Sequence, residues 1–128
     1  MAKSYVDDIE RRTEANDDFR HVLFTGPHLQ LVVMSLDPGE EIGEEVHDAT
    51  DQFFRVESGR GEVVIEGVAK PIQGGTGIVI AAGTRHNVKN TGPTQLRLYT
   101  LYAPPEHAEG TVGHTKADAE RTPEHYAR

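Results

Sequence analysis

The chain has 128 residues, with thirteen Lys and Arg against twenty-one Asp and Glu and a net charge of −8. That is the length of one domain able to bury a core, and its acidic balance repels phosphate backbones and anionic membranes, so nucleic acid and lipid surfaces are poor partners. Cysteine is absent, which removes disulfide scaffolds, thiolate-bound zinc and thiol nucleophiles.

No apolar run approaches the ~18 residues a membrane helix needs. The acidic stretch from Met1 to Glu10 lacks the apolar centre of a secretory signal, so a cytoplasmic protein is expected. Residues 5–15 allow one short helix, with Val6, Ile9 and Thr13 near one face and acids early in the segment. From Phe19 onward, short runs rich in Val, Ile, Leu, Phe, Tyr and Thr recur between Gly, Pro, Asp and Asn. They predict strands at 20–25, 28–36, 45–47, 52–57, 61–66, 68–72, 77–81, 85–90 and 95–103, with turns at places such as Gly26-Pro27, Asp37-Pro38-Gly39 and Ala82-Gly83.

Many short strands with frequent turns indicate an all-β sandwich or barrel. No helices of 10–15 residues alternate with them, which disfavours a parallel α/β sheet. The chain divides into a helical segment (1–18), a barrel (19–103) and a polar tail (104–128) that begins at Pro104-Pro105. The tail carries His107, His114 and His125. It is expected to be solvated, or to form a short helix near Ala117–Arg121.

Gly74-Gly75-Thr76-Gly77 is glycine-rich, but no Gly-Lys-Ser/Thr follows and a strand comes next, so it is read as a turn rather than a phosphate loop. There is no Gly-x-Ser-x-Gly and no His-Glu-x-x-His. The informative stretch is Gly39 to Gln52. If residues 45–47 are extended, Glu45 and His47 share a face while Glu44 and Val46 point away. Gln52 opens the next strand, and His86 follows much later. Two imidazoles, a carboxylate and an amide carbonyl would form a mixed nitrogen–oxygen site suited to a divalent metal.

These residues carry a resemblance to the cupins, small jelly-roll barrels with two sequence motifs. The first, Gly-x5-His-x-His-x4-Glu-x6-Gly, is matched here by Gly39, Glu45, His47, Gln52 and Gly59 with its spacing intact. The second, Gly-x5-Pro-x-Gly-x2-His-x3-Asn, is matched by Gly75, Ala81, Gly83, His86 and Asn90, again without a gap. Glu45, Gln52 and Ala81 depart from the pattern. The resemblance implies a double-stranded β-helix (cupin jelly-roll barrel), and a metal held at Glu45, His47, Gln52 and His86.

The departures at Glu45 and Gln52 exchange a carboxylate and a neutral ligand, so the formal ligand charge stays at −1. One divalent ion is expected, with a shift towards Mn²⁺ or Fe²⁺ and with Ni²⁺, Co²⁺ and Zn²⁺ open. Competing readings stand beside these. Glu45 is a ligand or a solvent-facing strand residue; Gln52 ligates directly or only hydrogen-bonds a bound water. Asp51 orients a histidine N–H or belongs to a turn. His21, His28, His107, His114 and His125 are read as non-ligands, and Phe53, Phe54, Tyr99 and Tyr102 as core or pocket wall.

The resemblance further implies a metal-dependent enzyme acting on a small oxygenated substrate: a sugar, sugar acid or dicarbonyl, by isomerase- or lyase-type proton transfer. The chain looks like the single-barrel cupins grouped with sugar-phosphate (mannose-6-phosphate) isomerases, and is similar to uronate-linearising cupins. Tyr99, Tyr102 and His107 are the candidate proton-transfer groups, although a regular strand can turn only one of the two tyrosines inward. The alternatives are an iron-dependent dioxygenase and a non-catalytic small-ligand binding or sensing module. A homodimer is expected, with segment 19–36 as the pairing edge.

Overall fold

The computed structural model describes residues 3–121. The elements run α1 (Ile9–Glu14), β1 (Arg20–Thr25), β2 (Gln30–Leu36), β3 (Asp51–Ser58), β4 (Arg60–Ile65), β5 (Val68–Gln73), β6 (Gly77–Ile80), β7 (His86–Lys89), β8 (Leu96–Ala103), β9 (Val112–Gly113) and α2 (Lys116–Arg121). The strands form two facing sheets, one ordered β6-β3-β8-β2-β1-β9 and the other β5-β4-β7, which is the jelly-roll arrangement of a double-stranded β-helix. The all-β reading of the sequence is therefore correct.

Strand alternation sends every second side chain between the sheets. The register then stacks these residues in rows. Gln30, Tyr102, Gln52 and Ile80 lie side by side across β2, β8, β3 and β6. The next row is Val32, Thr100, Phe54 and Ile78, and beyond it come Met34, Leu98 and Val56. One end of the large sheet's inner face is thus polar, while its middle is an apolar core. On the opposing sheet, Val63 faces Val88 within the core and Ile65 is paired with His86 at the polar end.

Residues 45–47 do not form the strand expected there. Two isolated bridges, Glu41 to Lys89 and Glu45 to His86, lay this segment along β7 without a continuous ladder. The N-terminal helix is also shorter than 5–15. The Asp8 side chain caps it by accepting from Arg11 N, and Val6 lies outside it at 95% exposure, so Val6 takes no part in the buried face anticipated there. Thr13, by contrast, is fully buried.

The C-terminal segment is not a solvated tail over the residues described. Pro105, Glu106 and His107 are buried, β9 pairs with β1, and Ala119 of α2 joins the hydrophobic core. Gln30 holds the start of this segment. Its side-chain amide donates to His107 O at 2.8 Å and its carbonyl accepts from His107 N at 2.9 Å. His125 lies outside the described residues. No helix among those described is long and apolar enough to cross a membrane.

Candidate metal centre

The two sequence motifs meet through the backbone. Glu45 N donates to His86 O at 2.8 Å, and His86 N donates to Glu45 O at 3.0 Å. Residues opposed in this way project to the same face, so both side chains enter the barrel. His47 follows two residues later, and Gly83 N donates to its carbonyl at 2.8 Å. Gly83 has φ +82, the left-handed conformation that glycine adopts without strain, and this turn carries the second motif onto the first. Gln52 enters from the opposite sheet. Glu44 and Val46 point outward, Glu44 accepting from exposed Arg85 at 3.0 Å.

One potential ligand atom each from Glu45, His47 and His86 lies within 4.8 Å of the others. Glu45 Oε1 is 3.6 Å from His47 Nε2, and Gln52 Oε1 is 3.2 Å from His86 Nε2. A divalent ion with bonds of about 2.0–2.3 Å spaces its donors roughly 3–4 Å apart, so these separations fit one. Each imidazole is also held by its other nitrogen. His86 Nδ1 donates to Thr84 O at 2.9 Å, and His47 Nδ1 is 3.3 Å from Glu106 Oε1. Anchoring Nδ1 in this way turns the Nε2 lone pair towards the centre, as in metal-binding histidines generally.

Gln52 sharpens the test. Its Nε2 donates to Thr100 Oγ1 at 2.9 Å, which leaves Oε1 facing His86 Nε2. With the His86 proton committed to Thr84, two acceptors face each other. A cation between or beside them resolves that conflict. The donor set therefore fits a divalent metal, with Glu45, His47 and His86 at its heart and Gln52 at its edge.

Burial by itself pushes the Glu45 carboxyl towards its neutral form. The nearby His47 and the positive fields of His47, Arg20 and His86 outweigh it, and the carboxyl is held below its ordinary value. Glu45 is thereby kept as an anion, the form a metal requires. Tyr102 is buried at 1% exposure, and its hydroxyl is pushed far above the usual phenol value, chiefly by burial. That hydroxyl lies 3.1 Å from His107 Nε2, and the Tyr102 ring stands edge-on to His47, 5.9 Å between centroids.

Tyr99 is on the outer face of β8, packed near Phe53, so it does not line the barrel interior. Strand parity separates it from Tyr102. Asp51 accepts from Ala82 N at 2.8 Å, and no hydrogen bond or ion pair joins it to a histidine among the described residues, which makes it a loop tie. His28 is exposed, and His21 and His114 are both engaged with Asp18. Two residues that bear on the centre were not singled out from sequence. Glu106 sits in the segment read as tail, and Arg20 starts β1, between β2 and β9; neither belongs to a motif. Only the inward parity of Arg20 with Val22 offered a signal.

The remaining signature positions shape the backbone. Asn90 is buried and donates to Leu36 O and Thr94 O at 2.9 and 2.8 Å. Gly59 has φ +87, and a Cβ there would meet Gln95 O at 2.4 Å.

Comparison with known proteins agrees. The cupin domain model matches residues 32–102. The uncharacterized protein YrkC of Bacillus subtilis (strain 168) is 49% identical over 124 residues, covering 91% of this chain and 66% of that protein. The crystal structure of BH2720 from Bacillus halodurans superposes with a TM-score of 0.90 at 46% identity, covering 92% of this chain and 94% of that one. A predicted oxalate decarboxylase from Thermotoga maritima is 25% identical with a TM-score of 0.57, over 59% of this chain and 65% of that one. The chain spans about two thirds of the length of the curated relatives it matches. Motif spacing, sheet order and these similarities agree, and the chain belongs to the cupin family.

Proposed function

We propose that this cupin is a metal-dependent enzyme acting on a small oxygenated substrate, a sugar, sugar acid or dicarbonyl, by proton transfer of the isomerase or lyase type. The observation that carries this reading is the convergence of Glu45, His47 and His86 on one point inside the barrel. A bound divalent ion would supply polarisation of a substrate carbonyl or enolate oxygen. The protein's own groups would do the rest. Glu45 and the two imidazoles fix the ion's position, and Glu106 and Thr84 fix the imidazoles.

Tyr102 is the proton-carrying group favoured here. Its buried hydroxyl stays protonated, stands beside His47, and shares a hydrogen bond with His107. His107 holds that hydroxyl in place through this hydrogen bond, while Phe54 and its apolar row keep bulk water from the other side. The Thermotoga neighbour named as a predicted oxalate decarboxylase is consistent with lyase chemistry on an oxygenated small molecule.

The test is elemental analysis of protein purified without chelators, repeated on His47→Ala and His86→Ala. One divalent metal per chain is expected in the natural sequence, with loss of stoichiometric metal in both variants. Unchanged occupancy in either would contradict the assignment. A panel of aldoses, uronates and diketones then reads Tyr102→Phe, which is expected to keep the metal and lose turnover by roughly 10²–10⁴-fold, the usual contribution of a positioned acid or base.

A further inference from the structure

Arg20 has no place in the fold's economy that its neighbours explain. It begins β1 and sits opposite Met34, in the row that continues to Leu98 and Val56. All three of those side chains are fully buried, and Arg20 itself is 5% exposed. Its Nε is buried with no hydrogen-bond partner, and Arg20 takes part in no salt bridge among the described residues. The group it does approach is the Phe19 ring, with Cζ 5.3 Å from the centroid. A charged N–H buried without an acceptor is costly in a protein interior, and a cation–π contact does not satisfy it.

We propose that Arg20 is the anion-anchoring residue of the barrel, and that its ligand is a small molecule bearing a carboxylate whose charged end docks on the Arg20 guanidinium while its oxygenated end faces Glu45, His47 and His86. This rests on the metal-centre reading above and names the substrate class for it. The unpartnered Nε belongs to the edge of the guanidinium that offers parallel N–H donors, a fork matching the two oxygens of a carboxylate. The Arg20 charge is felt at both Glu45 and Tyr102.

The experiment is an NMR titration of the Arg20 Nε–Hε signal in the full chain, both zinc-loaded and metal-free, with metal content measured on the same samples. The probes are glycolate and malonate, ethylene glycol as the uncharged counterpart of glycolate, and inorganic phosphate. Glycolate and malonate are expected to move the signal saturably and ethylene glycol to leave it in place. Arg20→Met is expected to weaken carboxylate binding at least tenfold with metal content unchanged, and Arg20→Lys to weaken it less.

Removing a buried unpaired charge should leave the Met variant folded, with its melting temperature held or raised. A fall in that temperature with carboxylate binding intact would make Arg20 structural and overturn the proposal. So would a signal that ignores both carboxylates, that follows ethylene glycol equally, or that answers only to phosphate. If the protein holds no zinc but glycolate still moves the signal, the metal reading fails while the Arg20 assignment stands. The wild-type titration needs no variant, so a Met variant that does not fold leaves the outcome decided by it.

Discussion

Each imidazole of the site is held by the nitrogen that faces away from it. For His86 that partner is a backbone carbonyl, Thr84 O, set by the same turn that places Gly83. For His47 it is the Glu106 carboxylate, fifty-nine residues away in sequence and only 8% exposed. Glu106→Gln keeps the shape and removes the charge, so His47 loses part of its orientation and basicity. Metal affinity is expected to fall by about 10–100-fold, as for other residues that orient metal-binding histidines. A competitive chelator titration reads this directly. An affinity equal to that of the natural sequence would show that Glu106 plays no part in positioning His47. The candidate ligands were legible because motif spacing names them. Glu106 was not, since a carboxylate in a polar segment looks the same in sequence whether it is solvated or folded onto a histidine.

Among the elements, the strands were the readable part. Turn residues bound them, and period-two alternation on β3 and β8 separates Gln52 and Tyr102, which face in, from Tyr99, which faces out. The 45–47 segment misled because its extended shape comes from single bridges to β7, which sequence alternation cannot distinguish from a ladder. The C-terminal segment misled for another reason: its docking depends on long-range contacts such as Gln30 with His107 and Phe19 N with His114 O.

That docking carries its own pH dependence. His114 Nδ1 lies 2.5 Å from Asp18 Oδ1, with His21 also on Asp18 and Asp118 nearby. The hydrogen bond to Asp18, then its charge, raise the His114 pKa above the ordinary histidine value. A raised pKa favours the folded form of the segment below the unfolded value of about 6.5, and the benefit is lost as pH climbs through the folded-state value. Amide-exchange protection at Phe19 and Val22, which donate to His114 O and Thr111 O, should therefore decline from pH 6 to above 8 once intrinsic exchange is corrected. His114→Gln should flatten that decline. A decline of equal size in the variant would assign it to another group.

At the scale of the molecule, the remaining question is which surface meets a second copy. Segment 19–36 was the edge expected from sequence, but β2 lies between β1 and β8, and β9 covers the beginning of β1 through the bond from Val22 N to Thr111 O. Of the four outer strands, β7 is lined by the bridged 41–45 segment and β9 has only two residues, which leaves β5 and β6. β5 carries Lys70 and Pro71, a charge and a missing donor that both discourage strand addition. β6 carries neither; its sequence is Gly-Ile-Val-Ile, and Val79 is 76% exposed. The pairing edge we propose is therefore β6, joined antiparallel across a two-fold axis so that Val79 meets its own copy. Each chain brings a charge of −8 to such a pair, so association should tighten as salt screens the repulsion. Equilibrium sedimentation should give twice the 14.1 kDa chain mass at micromolar concentration. Val79→Lys should return the particle to the mass of one chain while leaving metal content unaltered. A dimer that survives this change would place the contact elsewhere, and a monomer at every salt concentration would remove it.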